Sequence, residues 1–265
     1  MKYSFLAIFL FWFLASCSED ISDEIQTELV QEADQFFLLS EIVGESNYLG
    51  NLTYGDFFRT LPESLPGCPE MQIDTQLRKI TLDYSKTDSC PQANLASRTG
   101  KIILDFSQSN SSPGLWFLEY VEYAYQKTHI KGKREFTRLS TSQNAETFNN
   151  LKITTDKNLS FDISGGYTYF ISRFGFRPFG ISYVGRHEGI NPAGRNFTQS
   201  ITEAKEKYIN CYSDGYILAT VGKENWKVSR GSNDIGYQVS FSSGSDCNTK
   251  VRVILPDGRT YDIKP

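Results

Sequence analysis

Leu115-Trp116-Phe117-Leu118-Glu119-Tyr120-Val121-Glu122-Tyr123-Ala124-Tyr125 is the stretch on which the architecture turns. It is too short between turn residues for a buried helix and rich in the aromatic and branched side chains that suit a pleated surface. Strict alternation puts Trp116, Leu118 and Tyr120 on one face and Leu115, Phe117, Val121, Tyr123 and Tyr125 on the other. A strand apolar on both faces belongs in the middle of a fold, covered from both sides, which predicts a sandwich or a filled barrel or roll. Similar period-two segments flank it: Lys79–Tyr84, Lys101–Phe106, Leu151–Thr154, Tyr216–Val221, Tyr237–Phe241 and Lys250–Leu255. Pro113-Gly114, Gly165-Gly166, Gly231-Ser232-Asn233-Asp234 and Asp257-Gly258 read as turns between them. No long apolar 3.6-residue period interrupts the strands, so the expectation is an all-β antiparallel meander rather than βαβ units.

Ahead of this body lies a stretch of different composition. Ser18 to Phe58 holds ten acidic residues and no Lys or Arg, whereas Arg59 onward holds 26 basic and 21 acidic residues. The asymmetry predicts three segments: a signal at 1–16, an acidic tether at 17–58, and the β-rich body at 59–265. Within the tether, Ile25, Leu29, Ala33, Phe36 and Phe37 recur at helical spacing, continued by Leu39, Ile42 and Val43. They predict an amphipathic helix over 23–43, with Ser22 as N-cap and Gly44 as its stop. A solvated spacer is the simplest use of so acidic a segment. Phe36-Phe37-Leu38-Leu39 is nevertheless too apolar for a free linker, which leaves docking on the basic body or on a partner as alternatives.

At the N-terminus, Lys2 precedes ten apolar residues, Phe5 to Leu14, which at about 1.5 Å each cannot cross a bilayer core of about 30 Å. Charge and run together read as a secretory signal. The following Leu14-Ala15-Ser16-Cys17 resembles the bacterial lipobox, in which the cysteine thiol takes a diacylglyceryl group and becomes the mature N-terminus. That resemblance implies Cys17 as a lipid attachment site and an envelope lipoprotein held by at least two acyl chains, enough for a stable anchor. Ser18-Glu19-Asp20 resembles the acidic surface-export signal of Bacteroidetes lipoproteins, implying an outer-membrane location with possible exposure at the cell surface.

Four further cysteines in an oxidising compartment predict disulfides; the local pairing Cys68–Cys90 and Cys211–Cys247 is expected over the two other connectivities. No metal or other cofactor is expected: there is no Cys-x-x-Cys, and His129 and His187 lie far from every cysteine. Catalytic signatures such as Gly-x-Ser-x-Gly, His-Glu-x-x-His and a P-loop are missing from the sequence. His129 sits among lysines without an orienting carboxylate, and His187-Glu188-Gly189 reads as an exposed turn, so an enzyme is the less favoured class. Nothing in the sequence singles out two of the body's carboxylates as a glycosidase pair.

The order Cys68-Pro69, Ile80-Thr81-Leu82-Asp83-Tyr84, Cys90, Arg98-Thr99-Gly100-Lys101-Ile102 is similar to a family of uncharacterised Bacteroidetes lipoproteins. Further matches are Gly194-Arg195-Asn196-Phe197-Thr198, Ile201-Thr202, Cys211 and Gly244-Ser245-Asp246-Cys247-Asn248. The similarity spans roughly residues 65 to 262, is weak in the middle third, and departs where Ser-Asp-Cys-Asn replaces the usual Gly-x-Cys-Asp-Asn. It implies a β-rich lipidated envelope protein and no catalytic residues. Gly114-Leu115-Trp116 also resembles the Gly-x-Trp of lipocalins, implying as a minor alternative a hollow ligand-carrying barrel.

Two surface readings remain. Lys127, His129, Lys131 and Lys133 alternate and read as a lysine-protected strand face before an anion-binding stripe. Between Tyr167 and Tyr183 stand seven aromatics with Arg173 and Arg177 among them. Core packing is the simpler explanation, with Phe170, Phe174, Phe176 and Phe179 better suited to it than the tyrosines. The functional alternative is a glycan platform using Tyr167, Tyr169, Arg173 and Arg177, since aromatic faces stack on sugar C–H surfaces and arginines bridge hydroxyls. The favoured function is therefore non-catalytic binding at the envelope. The expected partners are the membrane, through the N-terminal lipid, and a glycan or an envelope protein. A carboxylate-based glycan hydrolase and an assembly role for the helix are the alternatives. Nucleic acid is not expected from a chain with a pI near 5.4.

Overall fold

The computed structural model describes residues 19–85, 90–92, 96–243 and 247–263, with side chains from Glu28 onward. The signal reading of residues 1–16 and the lipid site at Cys17 lie outside the described residues. Thirteen strands follow one another as a meander: β1 (Glu70–Asp74), β2 (Lys79–Asp83), β3 (Arg98–Asp105), β4 (Leu115–Tyr125), β5 (Thr128–Arg138), β6 (Gln143–Thr154) and β7 (Ser160–Phe174). They continue with β8 (Arg177–Ile190), β9 (Asn196–Tyr208), β10 (Val221–Arg230), β11 (Asn233–Ser243), β12 (Thr249–Ile254) and β13 (Thr260–Ile263). Each pairs antiparallel with its neighbour in sequence, and β1 and β13 form the two edges of a single unclosed sheet. The all-β antiparallel meander preceded by a helix is thus present.

It is one sheet and not two facing ones, and the apolar residues on both phases of β4 come from a bulge. The register against β5 shifts between Tyr120 and Tyr123, where Glu122 adopts φ +48°. One extra residue inverts the alternation. Trp116, Leu118, Tyr120, Tyr123 and Tyr125 therefore all point inward and are buried, while Leu115, Phe117 and Val121 lie half-exposed outside. The strand has one covered face rather than two. In β6 the same device, with Asn150 at φ +53°, carries the phase from Phe148 to Leu151 so that both are buried.

What covers that face is the N-terminal segment. Helix α1 (Glu19–Glu45) runs on through Ser46 into α2 (Asn47–Asn51) and α3 (Tyr54–Phe57). It begins before Ser22 and passes Gly44 by one residue. Leu29, Ala33, Phe36, Phe37, Leu39, Ile42 and Val43 are all buried, in one core cluster with side chains from β2 through β13. The helix shares its core with the body, so residue 58 is not a boundary between packing units. Phe36 lies 5.0 Å from the Phe197 ring and 5.5 Å from Trp226. Gly50 of α2 passes so close to β5 that a Cβ there would stand 2.2 Å from the Phe136 ring; only glycine fits. At that carbonyl the Trp116 indole donates a hydrogen bond of 2.8 Å.

Contacts from one helix reach nearly both edges of the sheet: Glu45 pairs with Arg98 on β3, and Glu32 accepts from Tyr237 on β11. Laid flat, strands spaced about 4.8 Å apart would put β3 and β11 nearly 40 Å from each other. Glu32 and Glu45 are separated by only about 20 Å of helix. The sheet is therefore curled around α1, and the helix fills the roll. That leaves no room for the lipocalin-like hollow.

Both expected disulfides are present. Cys68–Cys90 ties the segment before β1 to that before β3, and Cys211–Cys247 ties α4 (Ile209–Ser213) to the segment before β12. The Asp257-Gly258 turn joins β12 to β13 as expected. Gly165-Gly166 is no turn: both lie inside β7, where neighbouring backbone leaves no room for a Cβ. Of the segment Tyr216–Val221, only Val221 belongs to a strand; Ile217 and Ala219 are buried in irregular chain.

Candidate functional site

Inside the roll, acids of the N-terminal segment meet cations and phenols of the sheet. Arg98 donates to Glu45 at 2.8 Å, with both side chains buried, and the Tyr123 hydroxyl donates to the same carboxylate at 2.9 Å. Arg134 is wholly buried: it pairs with Glu146 and donates to Ser46 Oγ, Asn47 Oδ1 and the Val43 carbonyl. Burial opposes the charge of both guanidiniums, and the facing carboxylate outweighs it, so both are held above the usual arginine range. Lys205 completes a third buried pair with Glu224 at 2.8 Å and donates to Ser40 of α1 at 2.8 Å. Nearer the helix start, Glu28 and Glu32 take Arg195 and Arg230. Beyond its end, Asp56 of α3 takes Arg173 at 2.8 Å. The charge asymmetry of the sequence is thus internal complementarity: from Glu28 onward the acidic segment leans on the basic body.

Among the described residues, the buried bases Lys207 and His187 lack a carboxylate partner of this kind. Lys207 donates to the Gly44 carbonyl, and burial, reinforced by the neighbouring Lys205, pushes its ammonium down to about 7. His187, expected in an exposed turn, lies in β8 with its ring buried and Nδ1 2.6 Å from the Tyr167 hydroxyl. Burial, with Lys205 nearby, lowers its pKa to about 3, so the ring is neutral. The void beside these groups, between Gly44, Tyr167 and Lys205, is about 10 Å³, and a second near Trp116 and Arg173 is about 20 Å³. Neither admits an organic ligand. The buried pairs therefore fix the helix in its trough.

The aromatic stretch divides in the opposite sense to the sequence expectation. Tyr167 and Tyr169 point inward and are buried, Tyr169 donating to Glu146 at 2.5 Å. Phe170, Phe174, Phe176 and Phe179 are exposed. Phenols suit a core full of carboxylates, whereas phenylalanine has nothing to give such a network. Tyr167 and Tyr169 thus cannot form an exposed platform. Arg173 is held by Asp56, and Arg177 is exposed at the start of β8. His129, Lys131 and Lys133 of β5 are exposed on the outer face, as is Lys127 in the preceding turn, while Arg134 is buried. Phe36 and Phe37, suggested as a docking edge for a partner protein, are occupied by the chain's own sheet.

Outside, the sheet carries a groove of about 530 Å³ across strands β6 to β11. Register sets its rows: Ser164 faces Glu188, which faces Thr198, which faces Lys227. Asp162 lies diagonally from Glu188 and Asn150 stands at the β6 bulge. Carboxylates, amides and hydroxyls on one open surface offer acceptors and paired donors to a polyhydroxylated ligand. No motif announces these residues, since only the strand register brings them together. Among the described residues no group of three or more His, Cys, Asp or Glu could hold a metal ion, and no helix is long and apolar enough to cross a membrane. No protein-family model, curated protein or solved structure matches the chain.

Proposed function

We propose that this chain is a cell-envelope lipoprotein, anchored to an outer membrane of Bacteroidetes type through Cys17, that binds a glycan without turning it over. The observation that carries the binding reading is the contrast between a filled interior and an open polar groove on the outer face. The ligand surface is therefore the row Asp162, Ser164, Glu188, Thr198 and Lys227, in place of Tyr167 and Tyr169. Carboxylates accept from vicinal hydroxyls and Lys227 and Asn150 donate to them, a match that needs no buried pocket. Support for the anchor is the lipobox-like sequence before Cys17, and for the location the acidic residues after it.

Affinity electrophoresis of the protein against a polysaccharide panel tests this. Retardation by at least one glycan is expected, abolished by Glu188→Gln with Asp162→Asn and preserved in Tyr169→Phe. Failure of every polysaccharide to retard the protein removes the glycan reading. For the anchor, Cys17→Ser is expected to release the protein from the membrane fraction.

The same groove is where hydrolysis would act, since Asp162 and Glu188 stand on adjacent strands. Both are exposed, and an acid catalyst at neutral pH needs desolvation that this surface does not provide. Product release from a labelled polysaccharide, lost on Glu188→Gln, would replace binding by catalysis.

A further inference from the structure

The hairpin between β7 and β8 ends in Arg173-Phe174-Gly175-Phe176-Arg177, a palindrome of residue types across the turn. Phe174 is 86% exposed and Phe176 80%, and Phe179 stands half-exposed just behind them. No other large apolar side chain among the described residues is as exposed as these two, and they stand two positions apart. The tip is not a loose end. Arg173 donates to Asp56 of α3 through both terminal nitrogens, at 3.1 and 2.8 Å, and to the Phe176 carbonyl at 3.0 Å. Arg59 stands 5.6 Å from the Phe176 ring centre. The two phenylalanines are thus held outward by a clasp to the helical segment.

Charge identifies what the tip suits. From Ile163 to His187 the chain has no carboxylate and three arginines, Arg173, Arg177 and Arg186. Asp56, the carboxylate at the base of the tip, is buried and committed to Arg173. On the outer strand behind, Glu206 is half-buried and accepts from Tyr208. Two apolar side chains at the apex, with exposed cations on Arg177 and Arg59 beside them, match a bilayer with anionic headgroups. The rings enter the acyl boundary while the guanidiniums remain at phosphate depth. A protein pocket would have to be shaped to this projection, whereas a bilayer accepts it in any rotation about its axis.

We infer that the β7–β8 tip is a membrane-contacting element for anionic lipid surfaces. It is separate from the N-terminal anchor. The tip packs on α3, past the far end of a helix whose 27 residues span about 40 Å. It is also independent of the groove proposed for glycan.

The test reads the tip directly. An environment-sensitive fluorophore is placed at Phe176→Cys, and for comparison at the exposed Lys223→Cys on β10, in the full chain. Each is mixed with vesicles of phosphatidylcholine alone or with three parts in ten phosphatidylglycerol. A blue shift and quenching by doxyl-labelled lipid are expected at position 176, stronger with phosphatidylglycerol and weakened by salt, and not at 223. With the fluorophore kept at 176, Phe174→Ser is expected to weaken vesicle binding by at least ~10-fold, and Arg177→Gln by ~5-fold. Emission at 176 that stays aqueous on both vesicles, or changes no more than at 223, overturns the inference. So does a shift that appears only with envelope proteins and never with lipid. Polysaccharide retardation unaffected by Phe174→Ser keeps a failure here distinct from a failure of the glycan reading.

Discussion

Phe36 and Phe174 are the same side chain put to opposite uses. Phe36 lies between Phe197, Trp226 and Tyr237 at the centre of the roll, on a helix whose Glu28, Glu32 and Glu45 pair with arginines of the body. Phe174 stands in solvent at the end of the longest strand, held there by the Arg173–Asp56 clasp. The interior is apolar packing threaded by ion pairs; the tip is apolar surface with a cationic collar and nothing over it. Substitution separates the two. Contacts in the roll hold the fold together, and contacts at the tip are offered to something outside the chain.

The largest effect expected is from Arg134→Met, which leaves Glu146 buried without its partner and costs about 3–5 kcal/mol. Phe36→Ala falls in the same range through the cavity it leaves. Urea denaturation measures both, and a loss under 1 kcal/mol for either would mean the helix is not integral to the roll. Next comes acid sensitivity. Unfolded histidine takes up its proton near pH 6.5, but folded His187 does so only near 3, so between these values the unfolded state binds more protons. Stability is therefore lost as pH falls from 6.5 toward 3, by a few kcal/mol at most, and His187→Gln should flatten that limb.

Lys207 acts in a different window. Its folded pKa near 7 lies below the ordinary value of about 10.4, so the unfolded state again binds more protons between them. Its neutral form is tolerated above pH 10, and stability falls as pH drops to 7, then levels. Lys207→Met should gain on the wild type by about 2–3 kcal/mol more at pH 7 than at pH 9; loss of the Gly44 hydrogen bond is common to both measurements and cancels. Arg173→Ala, which unpairs the buried Asp56, should cost about 1–2 kcal/mol and loosen the tip. Smallest of all is Phe174→Ser with Phe176→Ser, expected within about 0.5 kcal/mol of the wild type. A larger loss would make the tip part of the core after all.

Much of the fold is legible in the chain. Period-two segments such as Lys79–Asp83 and Lys250–Ile254 became strands, the Asp257-Gly258 turn joined its hairpin, and the local cysteine pairs closed. The helix is legible from Leu29 to Val43 because its apolar spacing survives the acids between. Misreadings arose where one residue changes the phase. Glu122 inverts β4, and no side chain announces a bulge, so a strand with one covered face looks like one with two. Hydropathy ranks Phe170, Phe174, Phe176 and Phe179 as better core candidates than Tyr167 and Tyr169, and the structure reverses that order. Hydropathy does not register that Glu146 and Arg134 inside the roll need hydroxyls beside them.

Local pattern therefore determined the element types, their order and the chemistry each carries, since backbone sterics and side-chain period act over a few residues. Tertiary structure alone decided which face those elements share, which carboxylate meets which cation and which aromatic is left outside. Those outcomes depend on register across strands far apart in sequence and on the sheet curling about its own acidic helix.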